Sequence, residues 1–357
     1  MKTTYLHTKV IFAITVIALS FFSCSSHEDN SLLPNPEPTT GPQPESPIKS
    51  DPRLQITDGV LTGITEEYDD IILPTNVKRI QKGVFYGKNI RKVTLNEGLE
   101  TIEEDAFIFS TLEEINFPSS LKEIGKYAFY QCEKLVSADL SKTKVKEFLE
   151  GTFGYSGIQS IAFPSTLEAI GAQVFLKTSK LETIEIPISV KSIGTEAFRE
   201  CNATVVSLPN NISSIAARVF YYCPNLQEVK THGTVIQEDP NSNIQAYCFE
   251  GCPELSVFTI PQNIRSLGQG LLGGNHKVKS ITIPSRVNRI AFSAFNNTGI
   301  ENVIVESTTP PVAELVNNRA WYGFPENVKS IQVPEGTAEN YKVAPGWKEF
   351  TNQIHSN

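Results

Sequence analysis

Ten times between Val77 and Phe295 the chain returns to one spelling, and this repetition restricts its possible folds more than any other feature. Aligned on a phenylalanine that usually follows alanine, the anchors are Phe85, Phe107, Phe129, Phe153, Phe175, Phe198, Phe220, Phe249, Leu272 and Phe295. Their spacings are 22, 22, 24, 22, 23, 22, 29, 23 and 23 residues. A fixed period in the low twenties is the mark of a solenoid and overrides any local secondary-structure preference.

Other columns keep the same register. Five before the anchor stand Ile80, Ile102, Ile124, Phe148, Ile170, Ile193, Ile215, Ile244, Leu267 and Ile290. Eight before it the column is aliphatic except at Asn241. Five to seven after it an aliphatic residue returns: Ile90, Leu112, Leu135, Ile158, Leu181, Val205, Leu226, Leu255, Val278 and Ile300. A short alternating strand follows, as in Ile184–Pro187 and Ile281–Pro284. Alternation turns its two aliphatics inward and the residue between them outward. Proline ends the strand because it has no amide to donate. Gly125, Gly171, Gly194 and Gly268, four before the anchor, are expected at a tight corner. One coil cannot bury its own apolar face, whereas stacking at ~4.8 Å per rung buries them all.

The coil spelled "IGKYAFYQC" (Ile124–Cys132) and again "IGTEAFREC" (Ile193–Cys201), with its strand ending in proline, resembles the BspA-like leucine-rich-repeat surface proteins of anaerobic bacteria. The resemblance covers roughly residues 54–357. It implies a mostly β fold: a right-handed leucine-rich-repeat solenoid of about ten to twelve coils, with parallel strands and short turns. Asp58–Thr65 resembles the family's N-terminal cap and Glu339–Phe350 its C-terminal one. Export and the binding of host or environmental macromolecules are the functions implied. No fixed catalytic or binding residues come with the family.

The N-terminus reads as a targeting segment. Lys2 and Lys9 precede the apolar run Val10–Phe22, which is too short to span a bilayer, for which about 20 residues are needed, and suits a secretory signal. It ends in "FFSC", which resembles a bacterial lipobox with Phe21 in place of the usual leucine and makes Cys24 the expected site of lipidation. "SSHED" (Ser25–Asp29) resembles the export signal of surface lipoproteins of the Bacteroidetes, without its common lysine. Prolines at 34, 36, 38, 42, 44, 47 and 52 then predict a semi-extended spacer reaching ~80 Å at ~3.1 Å per residue. The expected order is signal peptide 1–23, lipid-anchored tether 24–52, cap and first strand 53–76, solenoid 77–309 and C-terminal cap 310–357. The location implied is the outer face of the outer membrane, held only through the lipid.

The candidate chemistry is sparse. Cys132, Cys201, Cys223 and Cys252 all fall three after the anchor, in a column that elsewhere holds Lys88, Ser110, Ser156, Thr178, Asn275 and Thr298. Such a column asks for a small buried residue, so free thiols are expected, although Cys201 and Cys223 on adjacent rungs are within disulfide reach. His27, His232, His276 and His355 are too scattered to assemble a catalytic or metal group. "GQGLLG" (Gly268–Gly273) lacks the βαβ context of a nucleotide fingerprint. Asp239, Asn241, Asn243 and Glu250 match calcium-loop spacing, but Ile244 occupies the glycine position, so a polar loop in the 29-residue coil is expected, bulging outward. Neither metal, cofactor nor catalytic residue is expected.

Of the outward positions, the strand columns hold no aromatic row and no single sign of charge. Tyrosines gather instead just after the anchor, at Tyr86, Tyr130, Tyr155, Tyr221 and Tyr222. They are expected to cover turns, and an exposed tyrosine rim is the candidate ligand contact, since the ring is apolar and its hydroxyl polar. With 31 basic against 39 acidic residues, net −8, a nucleic-acid partner is disfavoured. The expected function is adhesin-like binding of an extracellular protein or cell-surface macromolecule without catalysis. The alternative is a glycan-capture or scaffold lipoprotein of an uptake system.

Overall fold

The computed structural model describes residues 51–66, 69–235, 238–315 and 323–356. They form a stack of coils, numbered 1 to 10 here by the anchors Phe85 to Phe295. Strands of two to five residues stack in parallel on two sides. One side carries the strand before the anchor, from Arg79–Ile80 through Ser192–Ile193 to Val312–Ala313. The other carries the proline-terminated strand, such as Thr183–Glu185, whose burial alternates exposed, buried, exposed. Registers join equivalent positions: Ile193 pairs with Ile215, and Ile184 with Val206.

The third side is the turn around the anchor. On the side before the anchor a later coil donates to an earlier one, as Lys191 N does to Glu168 O (2.8 Å), and on the proline-terminated side bonds run both ways, as Thr204 N to Glu182 O (2.8 Å) and Ile186 N to Ser207 O (3.0 Å). At the turn the earlier coil donates forward: Phe175 N to Ala197 O (2.7 Å) and Phe198 N to Val219 O (2.9 Å). Backbone groups are thereby paired around the whole coil, as burial requires.

The core is one continuous column. Consecutive anchor rings from Phe85 to Phe249 stack nearly parallel, with centroids 4.6–5.7 Å apart and planes within 11°. Leu272 interrupts the aromatic row but is fully buried in the same slot. Such offset contacts add to the burial of each ring.

Two sequence expectations change. The glycines four before the anchor do not have left-handed backbones; they admit the neighbouring chain. A Cβ on Gly194 would lie 2.5 Å from Ala172 N, and one on Gly125 2.3 Å from Glu104 N. The left-handed positions are two before and two after the anchor, and most of them are not glycine: Tyr127 and Gln131 flank Phe129, and Glu196 and Glu200 flank Phe198. Likewise, Val205 does not fill the returning aliphatic slot of coil 6. Ala203 is buried there, while Val205 begins the strand Val205–Pro209 and faces outward.

The 29-residue coil bulges outward as expected, and the coils on either side close beneath the bulge. Asn263 N donates to Asn210 O (3.0 Å), Gln262 N to Asn210 Oδ1 (3.0 Å), and Asn263 Nδ2 to Ile212 O (3.3 Å). Asn241 is exposed; Ser242 takes the buried place and bonds Asn263 O.

Each end of the stack is covered. Leu54–Thr57 and Val60–Ile64 form an antiparallel hairpin, its turn at Asp58 and Gly59, and Leu61 pairs onward with Ile80. At the other end lie a helix, Ala338–Val343, and a 3₁₀ turn, Trp347–Phe350. Buried Trp347 donates through Nε1 to Pro311 O (2.8 Å), and Tyr341 Oη donates to Ser307 O (2.7 Å).

Phe175 touches rings on both sides, whereas Phe85 stacks on Phe107 alone along the row. Phe175→Ala is therefore expected to cost ~3–5 kcal/mol and Phe85→Ala less; equal losses in denaturant titration contradict this gradient. A second pair of substitutions tests the turn. Gly194→Ala should destabilise by steric contact, while Gln131→Gly, at φ 55°, should raise stability by roughly 0.5–1 kcal/mol in thermal unfolding.

Candidate functional site: an aromatic rim

The turn that carries the anchor points three positions outward: two before it, one after and two after. Because the coils are in register, these positions form a rim along one edge of the solenoid. The structure brings the five expected tyrosines to this rim, in two groups. Tyr86, Tyr130 and Tyr155 belong to coils 1, 3 and 4, and Phe109 of coil 2 completes the strip. Ring centroids are 5.6 Å from Tyr86 to Phe109, 6.5 Å from Phe109 to Tyr130 and 5.2 Å from Tyr130 to Tyr155. Tyr86 is 56% and Phe109 44% exposed.

The second group lies at coils 7 and 8. Tyr221 and Tyr222 meet edge to face at 4.3 Å. The guanidinium groups of Arg199 and Arg218 each lie 5.8 Å from the Tyr221 ring, and Arg218 lies 5.7 Å from Tyr247. Such cation–π contacts fix both partners. Between the groups the rim is charged, with Lys177 and Glu200 paired at 3.2 Å.

Phe109, Tyr127, Tyr247, Arg199 and Arg218 also stand on the rim, and the column of tyrosines just after the anchor does not include them. The signal that finds them is the pair of left-handed positions. Phe109, Tyr127, Tyr155, Tyr222 and Tyr247 all have φ between 54° and 61°. Equivalent positions in other coils are glycine, as at Gly87, Gly151, Gly251 and Gly270, or polar residues, as at Gln131, Lys177, Glu196 and Arg218. A bulky residue there is strained by about 1–2 kcal/mol. The rings also explain several glycines: a Cβ on Gly151 would meet Tyr127 at 2.2 Å, on Gly251 Tyr222 at 2.5 Å, and on Gly270 Tyr247 at 2.6 Å. Each of these rings lies on a bare backbone of the next coil, so the tyrosines do cover turns, the next coil's turns.

The Tyr127 hydroxyl donates to Glu150 (2.6 Å), and that bond, with burial, pushes its pKa to about 12. The same bond, with Lys126 beside it, holds the Glu150 carboxyl below its ordinary value. The strand face differs: its charges pair with one another between coils, as Lys92 does with Glu114 (2.8 Å). Exposed pairs of this kind contribute little to stability. His232 Nδ1 meets Ser207 Oγ at 2.9 Å, a contact between neighbouring strands that spacing did not foreshadow.

The calcium-like spacing does not converge. Asp239 accepts from the Asn241 amide of its own turn (2.8 Å), and Glu250 stands at the rim beside Gly270. Among the described residues no group of three or more His, Cys, Asp or Glu is placed to hold a metal ion. Cys24, the signal and all but the end of the tether lie outside the described residues. No helix among the described residues is long and apolar enough to cross a membrane.

The five described cysteines are free and buried. Cys201 and Cys223 touch at 3.3 Å between sulfurs, a thiol hydrogen bond. The column's polar groups bond anchor carbonyls: Cys132 Sγ donates to Phe107 O (3.1 Å) and Thr178 Oγ1 to Phe175 O (2.9 Å).

The comparisons with known proteins agree with this architecture. The family model for the BspA type leucine rich repeat region matches residues 56–181, 146–241 and 234–314. The chain belongs to that family. Among solved structures it is similar to a leucine-rich repeat protein from Bacteroides ovatus, with 20% identity, TM-score 0.51, and 81% of this chain and 83% of that one covered. It is also similar to the pneumococcal vaccine antigen PcpA (21% identity, 76% and 69% covered, TM-score 0.43). A third is a leucine rich cell surface protein from Faecalibacterium prausnitzii (19% identity, 83% and 89% covered, TM-score 0.37). The likeness to the Bacteroides ovatus protein, at 20% identity, bears on the fold alone. No curated protein matches the chain.

Burial pushes the Cys132 thiol up to about 12 from an ordinary 9.0, and pushes Cys223 and Cys248 up as well. Iodoacetamide at pH 8 should therefore leave Cys132, Cys223 and Cys248 unlabelled until denaturant is added, as read by peptide mass spectrometry. The folded chain keeps these thiols protonated while the unfolded chain ionises. Their contribution to stability is thus complete below pH ~9 and is lost as pH rises from there towards ~12, which denaturant titration across that range will register.

Proposed function

We propose that this chain is a surface-presented, non-catalytic binding protein that takes a macromolecule along the aromatic rim. The observation that carries the reading is the set of five aromatic side chains held at left-handed backbone positions where other coils use glycine or a polar residue. Strained residues that persist in a repeat point to a use for the side chain. Exposed tyrosine beside arginine is also the composition of binding hot spots. Membership of the BspA-type family and a filled core support the absence of catalysis.

In this reading Cys24 carries the lipid, residues 25–52 act as a spacer on the outer membrane, and the solenoid is held at the cell surface. The partner is an extracellular protein or cell-surface macromolecule, and its contacts are spread over several coils. Binding of the full-length chain to matrix proteins, host cells and co-resident bacteria tests this. The double variant Tyr86→Ala and Tyr222→Ala, both exposed rim positions, should weaken the captured interaction at least tenfold while the thermal midpoint stays unchanged. Substitution of the strand-face Lys92 and Thr183 should leave it intact. A partner lost only on the strand-face changes would assign binding to the wrong side.

A further inference from the structure

We propose that a hollow at the inner end of the first aromatic strip is a saccharide subsite, and that Tyr86, Phe109, Tyr130 and Tyr155 carry the adjoining sugars of a neutral, linear glycan. This rests on the rim being the ligand surface and names the class of ligand it takes.

The hollow comes from an irregularity in the repeat. Coil 4 returns to its aliphatic slot at Ile158, five residues after Phe153, whereas coils 3 and 5 return at Leu135 and Leu181, six after their anchors. Coil 4 therefore cuts its corner short between two longer neighbours. Gly157 makes the short corner possible, since a Cβ there would lie 2.1 Å from Glu133 O. The resulting notch has a volume of about 490 Å³. Coil 6 also returns early, at Ala203, but there Asn225 Nδ2 bonds Asn202 Oδ1 (2.5 Å) across the corner.

The lining suits a hydroxyl-rich, uncharged ligand. Tyr155 forms the apolar wall and continues the aromatic strip. Glu133 and Glu200 offer acceptors, and Lys177 and Lys180 offer donors. Two acids and two amines leave no net field to select an anion or a cation. Lys177 is held over the Tyr155 ring at 5.5 Å and against Glu200 at 3.2 Å. On the floor is Ser156, 4% exposed, whose Oγ is buried without a hydrogen-bond partner. Its column-mates Thr178 and Thr298 donate to anchor carbonyls at 2.9 and 2.7 Å. A buried hydroxyl left unused costs stability, and a ligand hydroxyl would satisfy it.

A sugar ring matches this set. Its C–H face stacks on an aromatic ring, and its equatorial hydroxyls reach carboxylates, ammonium groups and a serine. The aromatic strip repeats once per coil at 5.2–6.5 Å, comparable to one pyranose unit, so a linear chain can follow the rim.

The test is calorimetric titration of the full-length chain with soluble β-glucan, mannan and xylan, and with polygalacturonate and heparin as charged probes. At least one neutral glycan should bind, and Lys180→Ala and Glu133→Gln, both exposed and remote from the core, should each weaken it about tenfold. Tyr86→Ala should weaken the polysaccharide but not a disaccharide of the same linkage, which fills the hollow alone. Ser156→Ala should weaken both. If only the charged glycans bind, or if Lys180→Ala and Glu133→Gln leave neutral-glycan affinity unchanged, the saccharide assignment is wrong. If no glycan binds while a protein or cell partner is lost on substituting Tyr86 and Tyr222, the rim reading stands and the saccharide subsite falls. If neither class of partner responds to rim substitutions, both fall.

Discussion

Contact between equivalent side chains on successive coils is the interaction on which the rest of the molecule depends. A single coil has one anchor ring and several inward aliphatics, as Leu167, Ile170, Leu181 and Ile184 around Phe175, but no second layer to cover them. The stacked rings from Phe85 to Phe249 and the row from Ile80 to Ile290 are buried only because the next coil supplies the missing wall. Parallel register follows, since any slip would set a large side chain against a small one. Among the described residues the column is one side chain thick and filled.

The outer surface has sides of unequal character. The strands are extended and paired, and their outward charges are largely spent on one another between coils. The anchor turn is different because its backbone donates forward to the next coil and passes twice through left-handed conformations. Glycine relieves this strain most cheaply. Where the chain places tyrosine instead, as at Tyr127, Tyr222 and Tyr247, the ring lies over a bare glycine backbone of the following coil. At these three places an aromatic residue and a glycine on neighbouring rungs fit one another.

Departures from the period do the shaping. The long coil 8 is accommodated because Asn210 and Asn263 hold coils 7 and 9 together beneath it, with Ser242 standing where other coils bury an aliphatic. The short corner of coil 4 does the reverse, withdrawing backbone between longer neighbours and leaving a notch with buried Ser156 in its lining. A uniform solenoid would offer a featureless edge; one residue missing from one corner is enough to open a hollow at the end of an aromatic strip.

The repeat alone was enough to establish the stacking, the inward columns, the buried cysteine column and the edge on which Tyr86, Tyr130, Tyr155, Tyr221 and Tyr222 would gather. All of these follow from spacing, because in a one-dimensional stack sequence distance converts directly into spatial neighbours. Backbone conformation and contacts between adjacent rungs were beyond it. The glycines of the Gly125 column looked like corner residues but serve close approach, and Val205 looked like core while Ala203 fills the slot. Phe109, Tyr127 and Tyr247 joined the rim only once the left-handed positions were known, and the hollow below Tyr155 needed the path of three coils compared. The physical reason is that periodicity specifies which residues are equivalent, whereas φ angles and the clearance between rungs depend on how each coil settles against its two neighbours.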